Sequence, residues 1–110
     1  MSSTRLILAS YDTGDRSLRR LFSEVCKDFG LRRVQLSVFG GRLTDTQFKS
    51  FKVRLKFLVN SKRSVGRLLV IPVGHSALSE GLMIHKEDPR VSIADPAEVW
   101  REKKIEDWVL

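Results

Sequence analysis

The chain has 110 residues, and 42% of them are apolar, which is enough for one domain with one modest core. Twenty Lys and Arg against 13 Asp and Glu give a formal net charge of +7, so we expect an anionic partner, nucleic acid first. The single cysteine, Cys26, excludes an intrachain disulfide framework, and no apolar run has the length of a membrane span, so we expect a cytoplasmic protein that contacts no membrane.

The first predicted strand, residues 6–10, is a short apolar run that leads into Tyr11 and Asp12. A helix is predicted next, with Asp15 as its N-cap and Gly30 as the residue that ends it. Its apolar residues recur at the spacing of one helix face: Leu18, Leu21, Phe22, Val25 and Phe29. The opposite face is basic and carries Arg16, Arg19, Arg20 and Lys27.

Residues 32–39 alternate with period two, which predicts a single second strand. One face of this strand would carry Val34, Leu36 and Val38. The other face would carry Arg33, Gln35, Ser37 and Phe39. The pair Gly40-Gly41 predicts a bend or bulge before a short strand near residues 42–43.

A second helix is predicted to begin at a capping box formed by Thr44 and Gln47. Its buried stripe would be Phe48, Phe51, Leu55 and Leu58, and its outer side would carry Lys49, Lys52 and Lys56. The apolar run 68–71 predicts a central strand that ends at Pro72. The resulting order, β-α-β-β-α-β, favours a ferredoxin-like α+β sandwich with two helices on one face of an antiparallel sheet.

We predict a core domain at residues 1–78 and a C-terminal extension at residues 79–110. Residues 74–81 resemble a loop, and residues 91–93 predict a strand. Asp95-Pro96 starts a predicted helix that runs towards Trp108. Two interpretations stay open for this extension: it caps the protein's own core, or it contacts a second protomer or another partner.

Two motifs carry a family resemblance: Tyr11-Asp12 after the first strand, and the run R-V-Q-x-S-V-F-x-G that begins at Arg33. With their spacing, they resemble the CRISPR-associated small adaptation endonuclease family, the second and smaller subunit of the spacer-acquisition complex, over about residues 5–73. The resemblance implies the ferredoxin-like fold and a homodimer. It also implies that Asp12 faces its symmetry mate and binds a Mg²⁺ ion that activates the attacking water.

Asp12 is therefore the expected catalytic residue and metal ligand. An acidic residue at the end of a buried strand is costly unless it is solvated, paired or bound to a metal. By pattern alone, Asp12 is a turn former ahead of Thr13-Gly14-Asp15, and only the resemblance reverses that ranking.

Several residues are expected to contact the substrate. The resemblance implies this role for Tyr11, Arg19, Arg33, Ser37 and Phe39, and the charge of the first helix alone adds Arg16 and Arg20. The planar guanidinium of Arg33 suits phosphate. Phe39 would stack on a base or, more readily, seal the dimer contact.

Three functions are compatible with these observations. The first is a metal-dependent endonuclease that acts on RNA or duplex DNA. The second is a non-catalytic dimeric scaffold that bridges CRISPR integrase subunits and holds DNA along its basic stripes. The third is a toxin-type ribonuclease of the virulence-associated protein D kind. A zinc site is not expected, because His75 and His85 have no paired cysteine, and Cys26 is expected to be a packing residue.

Overall fold

The computed structural model describes residues 3–60, 65–87 and 90–94. The elements in chain order are β1 (Thr4–Asp12), α1 (Arg16–Asp28), β2 (Arg32–Gln35), β3 (Val38–Thr44), α2 (Asp45–Asn60), β4 (Arg67–Val73), α3 (His75–Ser79), β5 (Met83–Glu87) and β6 (Arg90–Ala94). The first four strands form one antiparallel sheet in the order β2-β3-β1-β4. This is the ferredoxin-like arrangement, and the predicted fold is confirmed.

The two long helices begin and end where the local sequence predicts. Asp15 accepts a hydrogen bond from the Leu18 amide at 2.9 Å, and Gly30 ends α1 with a φ of +79°, a conformation that only glycine adopts readily. The capping box of α2 is also present: the Gln47 amide donates to Thr44 Oγ1, and the Thr44 amide donates to Gln47 Oε1. These bonds satisfy backbone donors that would otherwise be unpaired at the helix ends.

The core lies between the two helices and one face of the sheet. Because strand side chains alternate, Ile7, Ala9 and Tyr11 of β1 point towards the helices, while Leu8, Ser10 and Asp12 point to the opposite face. We call that opposite face the open face of the sheet. The predicted stripe of α2 is buried in the core, and so are Leu18, Phe22 and Val25 of α1.

The predicted second strand is wrong in one respect. Instead of a single strand, the chain forms a tight hairpin, with β2 and β3 joined by a turn at Leu36 and Ser37. The pair Gly40-Gly41 lies inside β3 and not at a bend. A Cβ on Gly41 would come within 2.8 Å of Leu31 Cδ2. The absence of a side chain at Gly41 therefore lets Leu31 pack closely against β3.

The predicted central strand is an edge strand of the four-stranded sheet. β4 pairs with β1 alone within the described residues, and it continues through Pro72 to Val73. An edge position explains the proline, because an edge strand has one side on which a missing amide donor breaks no ladder.

The C-terminal part is only partly described. The predicted loop at 74–81 contains the short helix α3, whose Leu78 packs against Leu6 and Val73. The strand predicted at 91–93 is confirmed as part of β6, which pairs with β5 in a separate two-stranded sheet. The helix predicted from Pro96 lies outside the described residues, and the domain division at residue 78 stays a prediction. Within the described part of the chain, no helix has the length and apolar character needed to cross a bilayer.

Candidate nucleic-acid interface

Asp12 ends β1 on the open face of the sheet, with most of its side chain in solvent. Its register partner on β4 is Arg67, and Arg67 Nη2 donates to Asp12 Oδ2 at 3.4 Å. Both side chains are exposed, so this ion pair contributes little to stability. Sequence reasoning missed Arg67, because only the pairing of β1 with β4 brings two residues 55 positions apart together.

The turn after Asp12 is held by its neighbours. Thr13 Oγ1 donates to the Val65 carbonyl at 2.7 Å and accepts from the Asp15 amide at 3.1 Å. A Cβ on Gly66 would lie 2.5 Å from the Thr13 Cβ, so a glycine is required where β4 begins. The interpretation of Asp12 as a turn cap is not supported, because Thr13 and Asp15 perform that role.

A groove of about 890 Å³ runs beside Asp12 and around the edge strand β4. Its charged lining consists of Asp12, Lys52, Lys56 and Arg67, so the groove has three cations and one carboxylate. Apolar side chains of α2 and β4 complete it. This charge pattern favours an anionic ligand beside Asp12.

A second concavity lies on the helix side of the sheet. We call it the arginine cleft, a shallow hollow of about 210 Å³ lined by Tyr11, Arg16, Arg19, Arg20, Ser23 and Arg33. None of the lining residues is acidic. Glu24 pairs with Arg20 at 3.5 Å from outside the lining. Four predicted substrate-binding arginines are thus brought together by the first two turns of α1 and the adjacent strand β2.

Arg33 is the most constrained of these arginines. Its Nη2 donates to Ser23 Oγ at 3.3 Å, and its guanidinium carbon lies 5.2 Å from the centre of the Phe39 ring. The Nε atom is buried without a hydrogen-bond partner. Ser23, in turn, donates to the Arg19 carbonyl at 2.9 Å. Sequence reasoning missed Ser23, although a polar residue between Phe22 and Val25 on the buried side of α1 was a usable signal.

Phe39 has a different place from the one predicted. Its side chain is fully buried in the core, where it meets Phe22 edge-to-face at 5.9 Å between ring centres. A ring in this position supports Arg33 from below. Within the protomer it is exposed neither to a base nor to a second subunit, because it points from β3 into the core between the sheet and the helices.

Tyr11 and Ser37 meet at the hairpin turn. The Tyr11 amide donates to the Ser37 carbonyl at 3.1 Å, and the Tyr11 hydroxyl donates to the Leu36 carbonyl at 3.1 Å. The Tyr11 ring packs edge-to-face on Phe22. Tyr11 therefore holds the turn in place while it lines the arginine cleft.

The predicted site residues fall into two groups. Tyr11 and the four arginines lie together on the helix side, whereas Asp12 points to the open face of the same sheet. Among the described residues, no group of three or more His, Cys, Asp or Glu side chains could hold a metal ion. In one protomer Asp12 is thus a lone carboxylate paired with an arginine, which does not fit a metal site.

The open face also carries exposed apolar side chains. Leu69 and Ile71 of β4 are 55% and 45% exposed. Leu8 and Val38 are half-buried on the same face. A contiguous apolar surface of this kind is typical of an interaction site.

The family model described as CRISPR associated protein Cas2 matches residues 5–80, well over half of the chain. The chain belongs to the Cas2 family. The match runs from β1 through α3, so it includes Asp12 and the arginine cleft and ends before the β5–β6 hairpin. The resemblance drawn from the two motifs is confirmed.

Individual relatives agree with the family match. The chain is 34% identical over 86 residues to a protein named CRISPR-associated endoribonuclease Cas2 1 from Methanospirillum hungatei, covering 78% of this chain and 88% of the relative. It is 35% identical over 81 residues to a CRISPR-associated endoribonuclease Cas2 from Thermus thermophilus, covering 66% of this chain and 85% of the relative. A crystal structure of a hypothetical protein from Thermus thermophilus superposes with a TM-score of 0.56 at 27% identity, covering 74% of this chain and 88% of that one.

Proposed function

We propose that this Cas2-family protein is a homodimeric CRISPR adaptation protein of the cytoplasm that binds nucleic acid and cleaves phosphodiester bonds with Asp12. The observation that carries the proposal is the position of Asp12: an exposed carboxylate on the open face of the sheet, beside a groove with Lys52, Lys56 and Arg67. A carboxylate among cations suits a reaction at a phosphate, because the cations offset the negative charge of the substrate.

The homodimer is supported by the open face. Leu69 and Ile71 expose apolar area that a second copy of the same face would bury, and β4 has one edge without a described partner. In a two-fold dimer through this face, we expect the two copies of Asp12 to approach each other across the symmetry axis. Sedimentation velocity of wild type and Ile71→Glu measures the state: we expect a dimer for wild type and a monomer for the variant.

We propose that the dimer binds a metal ion and that a single protomer does not. Two protomers would supply two carboxylates, which matches the one or two that Mg²⁺ usually takes together with substrate phosphates. A bound Mg²⁺ would supply charge neutralisation at the phosphate. Isothermal titration of MgCl₂ into the protein is expected to show binding for wild type and none for Asp12→Asn. Equal binding by both would remove Asp12 as a ligand.

The first candidate substrate is RNA, because the relatives are named endoribonucleases. Duplex DNA is the second. The arginine cleft does not distinguish RNA from DNA, because guanidinium groups contact the phosphates of both polymers.

The test compares cleavage by wild type, Asp12→Asn and Asp28→Asn, with and without Mg²⁺, on labelled RNA and labelled duplex DNA. Asp28 is a matched control, since it is an exposed carboxylate on α1 paired with Arg54 at 3.6 Å, and its replacement changes the charge equally. We expect at least about a hundredfold loss for Asp12→Asn and no loss for Asp28→Asn. Equal cleavage by all three proteins would end the proposal for Asp12.

A second candidate function is a non-catalytic scaffold that holds DNA and bridges CRISPR integrase subunits. It is favoured by one observation: the arginine cleft and Asp12 lie on opposite faces of the sheet. Binding without cleavage by wild type, unchanged in Asp12→Asn, would select the scaffold. Membership of the Cas2 family favours both functions over a toxin-type ribonuclease.

A further inference from the structure

We infer that Arg67 is a further catalytic residue of the Asp12 site: it exchanges the Asp12 carboxylate for the phosphate that is cleaved, and Thr13 is a positioning residue for both side chains. The inference rests on the proposed cleavage by Asp12 and deepens it. It assigns roles to two residues that belong to neither sequence motif.

Arg67 is held beside Asp12 by the register of the sheet. The two residues are direct partners in the pairing of β1 with β4, so their side chains lie on the same face. Arg67 Nη2 donates to Asp12 Oδ2 at 3.4 Å. Lys52 of the same groove directs its Nζ to the Phe48 ring instead, 4.2 Å from the ring centre. Arg67 is thus the groove cation that contacts the carboxylate in the described part of the chain.

The contact between Arg67 and Asp12 is easy to exchange. The Arg67 side chain is 87% exposed and the Asp12 side chain is 79% exposed, and such a pair adds little to stability because water solvates both charges. A guanidinium carries five N–H donors in a planar fork that matches two phosphate oxygens. A phosphate that enters the groove can therefore take Arg67 from Asp12, and this exchange frees Oδ2 for the reaction.

The backbone that carries Arg67 is fixed to the turn that follows Asp12. Thr13 Oγ1 donates to the Val65 carbonyl at 2.7 Å, so one hydroxyl joins this turn to the residues that lead into β4. Gly66 lies so close to the turn that an added Cβ would be 2.5 Å from the Thr13 Cβ. The backbones of Asp12 and Arg67 thus keep their spacing when the side chains separate, and little order has to be created when a phosphate binds.

The exchange makes the Asp12 carboxylate accessible only when substrate arrives. Without substrate, Oδ2 accepts from Arg67. With a phosphate in the groove, the guanidinium donates to the non-bridging oxygens and offsets negative charge in the transition state. Loss of Arg67 is therefore expected to lower kcat more than it weakens binding.

The experiment measures kcat and KM for cleavage of labelled RNA and duplex DNA, and Kd by anisotropy in EDTA, which withholds the Mg²⁺ of the proposed reaction. Arg67→Gln should lower kcat about a hundredfold and weaken Kd only about threefold. Arg67→Lys keeps the charge without the fork and should retain about a tenth of kcat. Thr13→Val should lower kcat about tenfold at nearly constant Kd, and Thr13→Ser should restore it, because serine keeps the hydroxyl.

A double-mutant cycle measures the exchange itself. In EDTA, Asp12→Asn should tighten binding, because it both removes a negative charge and releases Arg67. In the Arg67→Gln background the same change removes only the charge, so the tightening should be about threefold smaller. Equal tightening in both backgrounds would show that Arg67 stays on Asp12 when substrate binds, and the exchange would be wrong.

The matched control is Arg54→Gln. Arg54 is an exposed arginine paired with Asp28 at 3.6 Å, and it lies outside the lining of the groove. Its replacement should leave kcat and Kd within about twofold of wild type. An equal loss in Arg54→Gln and Arg67→Gln would reduce the effect to net charge and overturn the inference. Circular dichroism verifies folding of every variant, and Arg67→Lys maintains the test if Arg67→Gln is unfolded.

Failure of the inference differs from failure of the proposed function. If wild type cleaves neither RNA nor duplex DNA, the proposed function is wrong. If Asp12→Asn loses cleavage while Arg67→Gln cleaves like wild type, only the role of Arg67 is wrong. A raised KM at unchanged kcat in Arg67→Gln would place Arg67 away from the reacting phosphate and end its catalytic role. Cleavage by Thr13→Ser as slow as that by Thr13→Val would remove Thr13 as a positioning residue.

Discussion

Replacing Phe39 by leucine tests whether Phe39 is a core residue or a substrate contact. Phe39 is fully buried and meets Phe22 edge-to-face at 5.9 Å. The substitution removes about 40 Å² of apolar side chain, or about 1 kcal/mol at ~25 cal/mol per Å². Loss of the aromatic pair adds about 1 kcal/mol. We therefore expect the free energy of unfolding to fall by about 2 kcal/mol.

The assay is urea unfolding followed by circular dichroism at fixed protein concentration. Phe57→Leu is the matched control, because Phe57 is 71% exposed on α2 and the same substitution there should change the free energy of unfolding by less than about 0.5 kcal/mol. Nucleic-acid binding by Phe39→Leu should weaken only about threefold, through the changed support of Arg33.

One result would refute this reasoning. If Phe39→Leu is as stable as Phe57→Leu but loses nucleic-acid binding by tenfold or more, Phe39 acts as a stacking residue, since base stacking contributes about 1–3 kcal/mol. Phe39 would then contribute mainly to nucleic-acid binding and not to the stability of the core.

Two further predictions concern stability. Burial raises the pKa of the Cys26 thiol from 9.0 to about 12, so above pH 9 the unfolded chain binds fewer protons than the folded one and stability falls as pH rises. From about pH 9 to about pH 10, urea unfolding should show wild type losing about 1 kcal/mol more than Cys26→Ala, and parallel curves would contradict the buried thiol. Gly66→Ala should lower the free energy of unfolding by about 2 kcal/mol, because its Cβ would lie 2.5 Å from that of Thr13. Gly14→Ala, with no atom within 4 Å of the added Cβ, is its control, and an equal effect at both glycines would show that the contact at Gly66 is not limiting.

Local patterns predicted much of the fold. The cap at Asp15, the glycine end at Gly30 and the capping box at Thr44 and Gln47 all depend on groups within four residues of one another, so the sequence order alone places them. The buried stripe of α2 follows from its spacing for the same reason. The resemblance over the first two thirds of the chain identified the family.

The hairpin at Leu36 and Ser37 shows where the pattern failed. Turn residues are recognised when the backbone needs positive φ and therefore glycine or asparagine, but none of the described non-glycine residues has positive φ. The alternation thus continued across the turn without interruption, and a four-residue strand with a register shift was interpreted as part of a longer one.

From the sequence by itself came the helix ends and the ferredoxin-like order, because these depend on neighbouring positions. The family resemblance of two motifs identified Asp12, Arg19 and Arg33 as residues of interest, and the charge pattern of the first helix added Arg16 and Arg20. The tertiary structure alone decided which of those residues share a surface. Strand pairing set Arg67 against Asp12 over 55 positions, and the packing of the two helices on the sheet buried Phe39 in the core. Contacts of that kind arise from the closing of long loops, and nothing in a local pattern encodes them.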